Sequence, residues 1–262
     1  MSTQVAVAKP STGLGVTDRK DLWWISPLAV FLGLMLFIVY VTFRVFYNAH
    51  YVIDTATSAY LLSPVYSPLL IIEGLPPWFS PAILILWAPA GFRLTCYYYR
   101  KAYYRAFFFS PPACAVSERT KNGYRGETKL LIFQNIHRYF LYLALAFLVI
   151  LAIDVVMACM WPDGAGGKTF GVSVGTLLLF INVFLLSLYT LSCHSLRHLI
   201  GGKIDCYSCS AMGRTRHKMW RGVSMLNRRH PLWAWLSLMM VPITDFYIWM
   251  VSTGNFTDLR IF

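Results

Sequence analysis

The chain has 262 residues, 57% of them hydrophobic and only 13% charged, with six cysteines and a formal net charge of +12. A soluble domain carries about 25% charged residues, so this composition excludes an ordinary soluble enzyme and assigns the chain to a membrane. The basic balance then reports topology before it reports nucleic acid, and six cysteines are too sparse for a small disulfide-stapled secreted scaffold.

Residues 1–20 are polar and lack a basic start leading into a short apolar core, so they read as a mobile cytoplasmic tail and not as a signal peptide. Five apolar stretches follow, at 22–43, 79–99, 139–161, 170–192 and 231–252. Each is close to the roughly 20 residues that cross a bilayer as helix. Pro81, Pro89 and Arg93 interrupt the second, and Pro242 and Asp245 the fifth; neighbouring helices in a bundle can satisfy the backbone groups such breaks release. The expected fold is an all-α membrane protein, a bundle of five transmembrane helices forming one domain over 21–262.

Lys and Arg fix the expected orientation. The tail holds Lys9, Arg19 and Lys20; the loop after the second stretch (100–130) holds seven basic residues, and the loop after the fourth (197–230) eight, against Lys168 and Arg260 on the other side. That asymmetry puts the N-terminus in the cytoplasm and the C-terminus outside. Trp23, Trp24, Trp233 and Trp235 then fall at the inner interface, and Trp78, Trp161 and Trp249 at the outer one. Cys96 to Phe109, CYYYRKAYYRAFFF, reads as an interfacial segment, and Arg214 to His230 as a basic interfacial helix lying on anionic lipid or under a soluble partner.

The densest chemistry lies in Cys193 to Cys209, CHSLRHLIGGKIDCYSC, directly after the fourth apolar stretch. If that helix runs on, His194 and His198 leave one face about a turn apart and can share a metal. Gly201 and Gly202 sit where the helix should stop in a left-handed conformation. Cys206 and Cys209 then form a C-x-x-C pair able to chelate one metal, with Cys193 as an alternative ligand. A cytoplasmic position should keep these thiols reduced. Two nitrogens and two sulfurs suit zinc or a Rieske-type cluster; a single haem between His137 and His194 or His198 is a further reading, and it leaves the C-x-x-C unexplained. Arg93 near the inner end of the second stretch, with Tyr97 and Tyr98 beside it, can hydrogen-bond a quinone and its developing oxyanion. His137, Tyr139 and Trp220 complete the quinone candidates, whereas Asp154 and Asp245 are read equally as helix-holding groups or as a proton path.

Four strings, YLLSPVYSP (Tyr60 to Pro68), CYYYRKAYYRAFFFSPPACAV (Cys96 to Val116), NIHRY (Asn135 to Tyr139) and the Cys193–Cys209 segment, give a further lead. With the five-span pattern, they make the chain resemble the membrane-anchor subunit of succinate dehydrogenase, respiratory complex II, of the actinobacterial class with one anchor chain. The resemblance implies a haem-free anchor with a Rieske-type 2Fe–2S cluster in the membrane region. It gives His194 and His198 to one iron and Cys206 with Cys209 to the other. Soluble Rieske domains differ, pairing one cysteine with one histidine in each of two motifs. The resemblance further implies a flavoprotein subunit and an iron–sulfur subunit docked on the basic cytoplasmic loops, and a membrane quinone, menaquinone, as acceptor. The chain itself has no flavin or dicarboxylate motif. A one-haem cytochrome b anchor and a non-redox scaffold with structural zinc are the competing readings.

Overall fold

The computed structural model describes residues 13–55, 58–74, 76, 78–118, 131–163, 166–202 and 204–262, with backbone alone for 131–134. The described chain is all-helical apart from two small antiparallel strand pairs. In order, the elements are α1 (Ile25–Tyr47), β1 (Val52–Ile53), β2 (Leu61–Leu62), α2 (Pro81–Thr95), α3 (Tyr97–Phe108), α4 (Leu131–Ala158), β3 (Met160–Pro162), β4 (Lys168–Phe170), α5 (Val174–Leu191), α6 (His194–Gly201), α7 (Gly213–Asn227) and α8 (His230–Ser252). Val52 pairs with Leu62 and Ile53 with Leu61, while Met160, Trp161 and Pro162 pair with Phe170, Thr169 and Lys168.

Among the described residues, four helices are long and apolar enough to cross a membrane: α1, α4 over Asn135–Ala158, α5 and α8. Their outward side chains, among them Leu36, Val149, Ile153 and Phe180, are more than half exposed, as hydrocarbon-facing residues should be in a protein stripped of lipid. The second expected stretch differs. Its helix starts at Pro81, where the missing N–H costs nothing, and stops at Thr95 because Cys96 adopts an extended backbone, φ −63° and ψ 129°. At 15 residues α2 is about 22 Å long, short of the roughly 30 Å hydrocarbon layer. The third stretch is longer than its apolar run, since the polar NIHRY string continues the helix toward its N-terminus.

The chain divides into two compact units, residues 1–36 with 95–134, and residues 37–94 with 135–262. In the first, Phe31 packs on Phe107 with ring centroids 4.8 Å apart. Residues 13–19, read from composition as part of a mobile tail, run beside 114–117 there. Gly15 N–H donates to Ser117 O, Ser117 N–H to Val16 O, Thr17 Oγ1 to Ala115 O and Arg19 Nη1 to Cys114 O.

In the second unit α5 and α8 pack along one another. Ser173 caps α5, its hydroxyl accepting the Thr176 N–H while the Thr176 side chain accepts the Ser173 N–H. Gly91 lets the Phe140 ring lie against the backbone of α2, where any Cβ would strike it. Arg44 and Asp245 are both fully buried and paired, Nε to Oδ2 at 2.7 Å. Tyr40 and Ser63 hydroxyls also donate to Asp245, and the Trp249 ring lies 4.8 Å from the Arg44 guanidinium. Asp154 accepts a hydrogen bond from Ser67. Both acids are thus joined to other elements of the bundle and not to each other. Arg44 went unrecognised in the sequence because it follows the first apolar run by one residue.

Candidate functional site

The helix of the fourth span does not run on through both histidines. α5 ends at Leu191, and Cys193 takes an extended conformation, φ −63° and ψ 138°, before a new helix begins at His194. The four-residue spacing survives inside α6, so the two rings still meet, with centroids 5.1 Å apart and planes at 79°. Partial loss of solvation, then the neighbouring His198 and Arg197, pull the His194 imidazole below its ordinary range, which favours the neutral, ligand-competent form. α6 has no buried residue. Its end also differs from expectation: Gly202 is extended, φ −71° and ψ 151°, and its N–H reaches His198 O at 2.7 Å. Glycine is needed there because a Cβ would collide with that same carbonyl, not because φ is positive.

Cys206 and Cys209 do come together, but as a disulfide with sulfurs 1.97 Å apart, where reduced thiols were expected. The tight C-x-x-C turn, with Cα atoms 5.4 Å apart, is what brings the two sulfurs within bonding reach. Among the described residues, no group of three or more His, Cys, Asp and Glu side chains is gathered where one metal could sit. His194 with His198 and Cys206 with Cys209 are therefore two pairs and not an assembled four-ligand set.

A different neighbourhood is buried. His137 of α4 lies with Nε2 3.1 Å from the Cys193 sulfur, and the two residues are 6% and 2% exposed. The imidazole stacks on Phe92 of α2 at 4.6 Å, with planes only 6° apart. Phe92 meets Tyr189 of α5 edge-on at 5.4 Å, and Tyr189 stacks on His230, the first residue of α8, at 5.1 Å. Ser192 Oγ and His230 Nδ1 are 2.6 Å apart. Arg93 lies over the Tyr189 ring at 4.7 Å and donates to Ala234 O and Ser237 Oγ. Four helices and the α5–α6 junction thus deliver two imidazoles, a thiol, a phenol and a guanidinium to one place, with His137, Cys193 and Tyr189 buried and Arg93 and His230 half-buried.

Of the residues singled out in the sequence, this neighbourhood takes in Arg93, His137 and Cys193. Tyr139, two positions from His137, faces about 200° away on the same helix and is 69% exposed. Tyr97 and Tyr98 belong to the other unit, where Tyr97 is 64% exposed with Arg100 over its ring. Trp220 lines a separate cavity between α6 and α7, under the Arg197 guanidinium. His230 and Tyr189 were missed. His230 sits within a basic run and reads as loop, although the Pro231 after it is a helix-start signal that moves it to the mouth of a span.

The family model of the actinobacterial succinate dehydrogenase subunit SdhC matches residues 25–254. Among solved structures the chain is similar to one in the Mycobacterium smegmatis Sdh1 complex in the apo form, at 40% sequence identity and a TM-score of 0.83, with 100% of each chain covered. No curated protein matches it.

Proposed function

Because the chain belongs to the actinobacterial succinate dehydrogenase SdhC family, as a membrane-anchor subunit of that enzyme, we propose that it passes electrons to a membrane quinone. The electrons come from a soluble iron–sulfur subunit, which a flavoprotein subunit reduces in turn. The chain is a multi-pass protein of the plasma membrane. The five-span topology is part of the proposal, with α2 as the short fifth segment, the N-terminus and the basic loops in the cytoplasm, and the soluble subunits docked on those loops.

The observation that carries this reading is the run of stacked rings His137, Phe92, Tyr189 and the half-buried His230, with Cys193 against one end and Arg93 over the middle. Stacked rings among buried side chains leave little polar reorganisation for charge arriving there. Arg93 supplies N–H groups and positive charge for a quinone oxygen as it becomes an oxyanion. His230 and the Ser192 hydroxyl beside it can hold and exchange the protons that quinol formation consumes. The acceptor quinone is proposed to be menaquinone.

A Rieske-type 2Fe–2S cluster is the proposed resident cofactor. His137 and Cys193 are a buried nitrogen and a buried sulfur in reach of one another from separate elements, half of the two-nitrogen, two-sulfur set such a cluster takes, and bound there the cluster would supply one-electron exchange. The alternative set is His194, His198, Cys206 and Cys209, which carry the full two-nitrogen, two-sulfur count as two separate pairs.

The test is the intact complex with Cys193→Ser on one hand and Cys206→Ser with Cys209→Ser on the other. The expected result is that Cys193→Ser loses a Rieske-like EPR signal and quinone reduction while succinate still reduces a soluble dye, and that the double variant keeps all three. The opposite pattern returns the ligands to the C-x-x-C segment, and an intact complex without inorganic sulfide beyond that of its soluble subunits ends the cluster proposal.

A further inference from the structure

The cavity between α6 and α7 has a volume of about 890 Å³ and is walled by Arg197, Lys218, Arg221 and Arg228. The chain carries no Asp or Glu from residue 206 to residue 244, and the only ion pairs among the described residues lie elsewhere, at Arg19–Asp21 and Arg44–Asp245. Four cations thus line one hollow, and none of them makes an ion pair among the described residues. Two lining polar atoms, Arg197 Nε and Ser224 Oγ, are sealed from solvent without a hydrogen-bond partner. A buried donor left unmatched is costly, and a small turn of the Arg197 and Ser224 side chains toward the hollow would let a ligand with several acceptor oxygens satisfy both. Arg197 is held in place for this, its guanidinium 5.0 Å above the Trp220 ring.

We propose that this cavity binds the phosphate head group of an anionic phospholipid. The surrounding surface separates that occupant from an acidic protein segment: Met225 lines the cavity and is 66% exposed, and Met219 of the same helix is 53% exposed. Flexible apolar side chains beside cations suit a ligand with a charged head and a hydrocarbon body. α7 ends three residues before α8 begins its membrane-length run, which keeps the cavity at the level where phospholipid head groups lie. The lipid would occupy this hollow while the soluble subunits dock on the remainder of the basic loops, and the test does not read activity.

The experiment is native mass spectrometry of the full chain in its complex, exchanged into neutral detergent and titrated separately with phosphatidylglycerol, phosphatidylcholine and inorganic phosphate. Phosphatidylglycerol is expected to remain bound where phosphatidylcholine does not, and inorganic phosphate at the same concentration should not displace it. Arg221→Gln with Arg228→Gln alters two exposed side chains and should weaken retention about 25-fold, since each basic residue near anionic lipid contributes about fivefold. Ser224→Ala should weaken it further without changing the fold, as judged by an unchanged unfolding temperature. Equal retention of the two lipids, or an unchanged titration in the double variant, overturns the proposal. Displacement by inorganic phosphate reassigns the cavity to a free anion, and loss of the soluble subunits with lipid retention unchanged reassigns it to a protein partner; either outcome also overturns it.

Discussion

Removing Arg44 tests whether the buried charge pair holds the second unit together. Asp245 accepts from Arg44 Nε at 2.7 Å and Nη2 at 3.4 Å, from the Tyr40 hydroxyl at 2.6 Å and from Ser63. Arg44 also serves the Ala49 and His50 carbonyls. Arg44→Met would leave a fully buried carboxylate with two hydroxyl donors and no counter-charge, and would release two carbonyls. Breaking one side of a buried pair costs about 3–5 kcal/mol, and about 2–4 °C follows each kcal/mol in a chain of this size. The unfolding temperature of the detergent-solubilised protein should therefore fall by about 6–20 °C. Tyr40→Phe removes one hydrogen bond to a charged acceptor and should cost about 1.5–3 kcal/mol. Arg44→Met combined with Asp245→Leu removes both charges and should be less damaging than either change alone. The reasoning fails if Arg44→Met costs under about 1 kcal/mol, or if the double variant loses the sum of the two single losses.

Three smaller perturbations follow from local geometry. Ser173→Ala deletes the capping box at the start of α5 and should cost about 1 kcal/mol, read from the same unfolding temperature. Gly202→Ala must push back the His198 carbonyl and should cost about 1–3 kcal/mol, with faster hydrogen exchange at the end of α6 as its signature. The folded state holds His194 below its ordinary pKa, so the unfolded chain binds the proton more readily. The stabilisation is then complete above the unfolded value near 6.5 and is lost as pH falls through the lower folded value. The unfolding temperature should drop on acidification from pH 7 to pH 5, and drop less in His194→Gln; equal slopes would remove His194 from the account.

The sequence by itself determined the class of the molecule and most of its long elements. Composition and run length suffice for that, because a bilayer imposes one length and one hydropathy on every span, and α1, α4, α5 and α8 fall on expected apolar stretches. It also determined that His194 and His198 share a helical face, since that follows from a four-residue spacing alone. What only the tertiary structure decided is where helices break and which distant side chains meet. Extended backbone at Cys96 cuts the second apolar stretch short, and at Cys193 it separates α6 from the fourth span, because a cysteine carries no breaker signal. The break at Cys193 turns its sulfur toward His137, 56 residues away, while Pro231 starts α8 and draws His230 onto Tyr189. The Arg44–Asp245 pair spans 201 residues and is equally invisible to periodicity. Local spacing records what one helix can present; the packing of several helices determines which of those groups share a buried site.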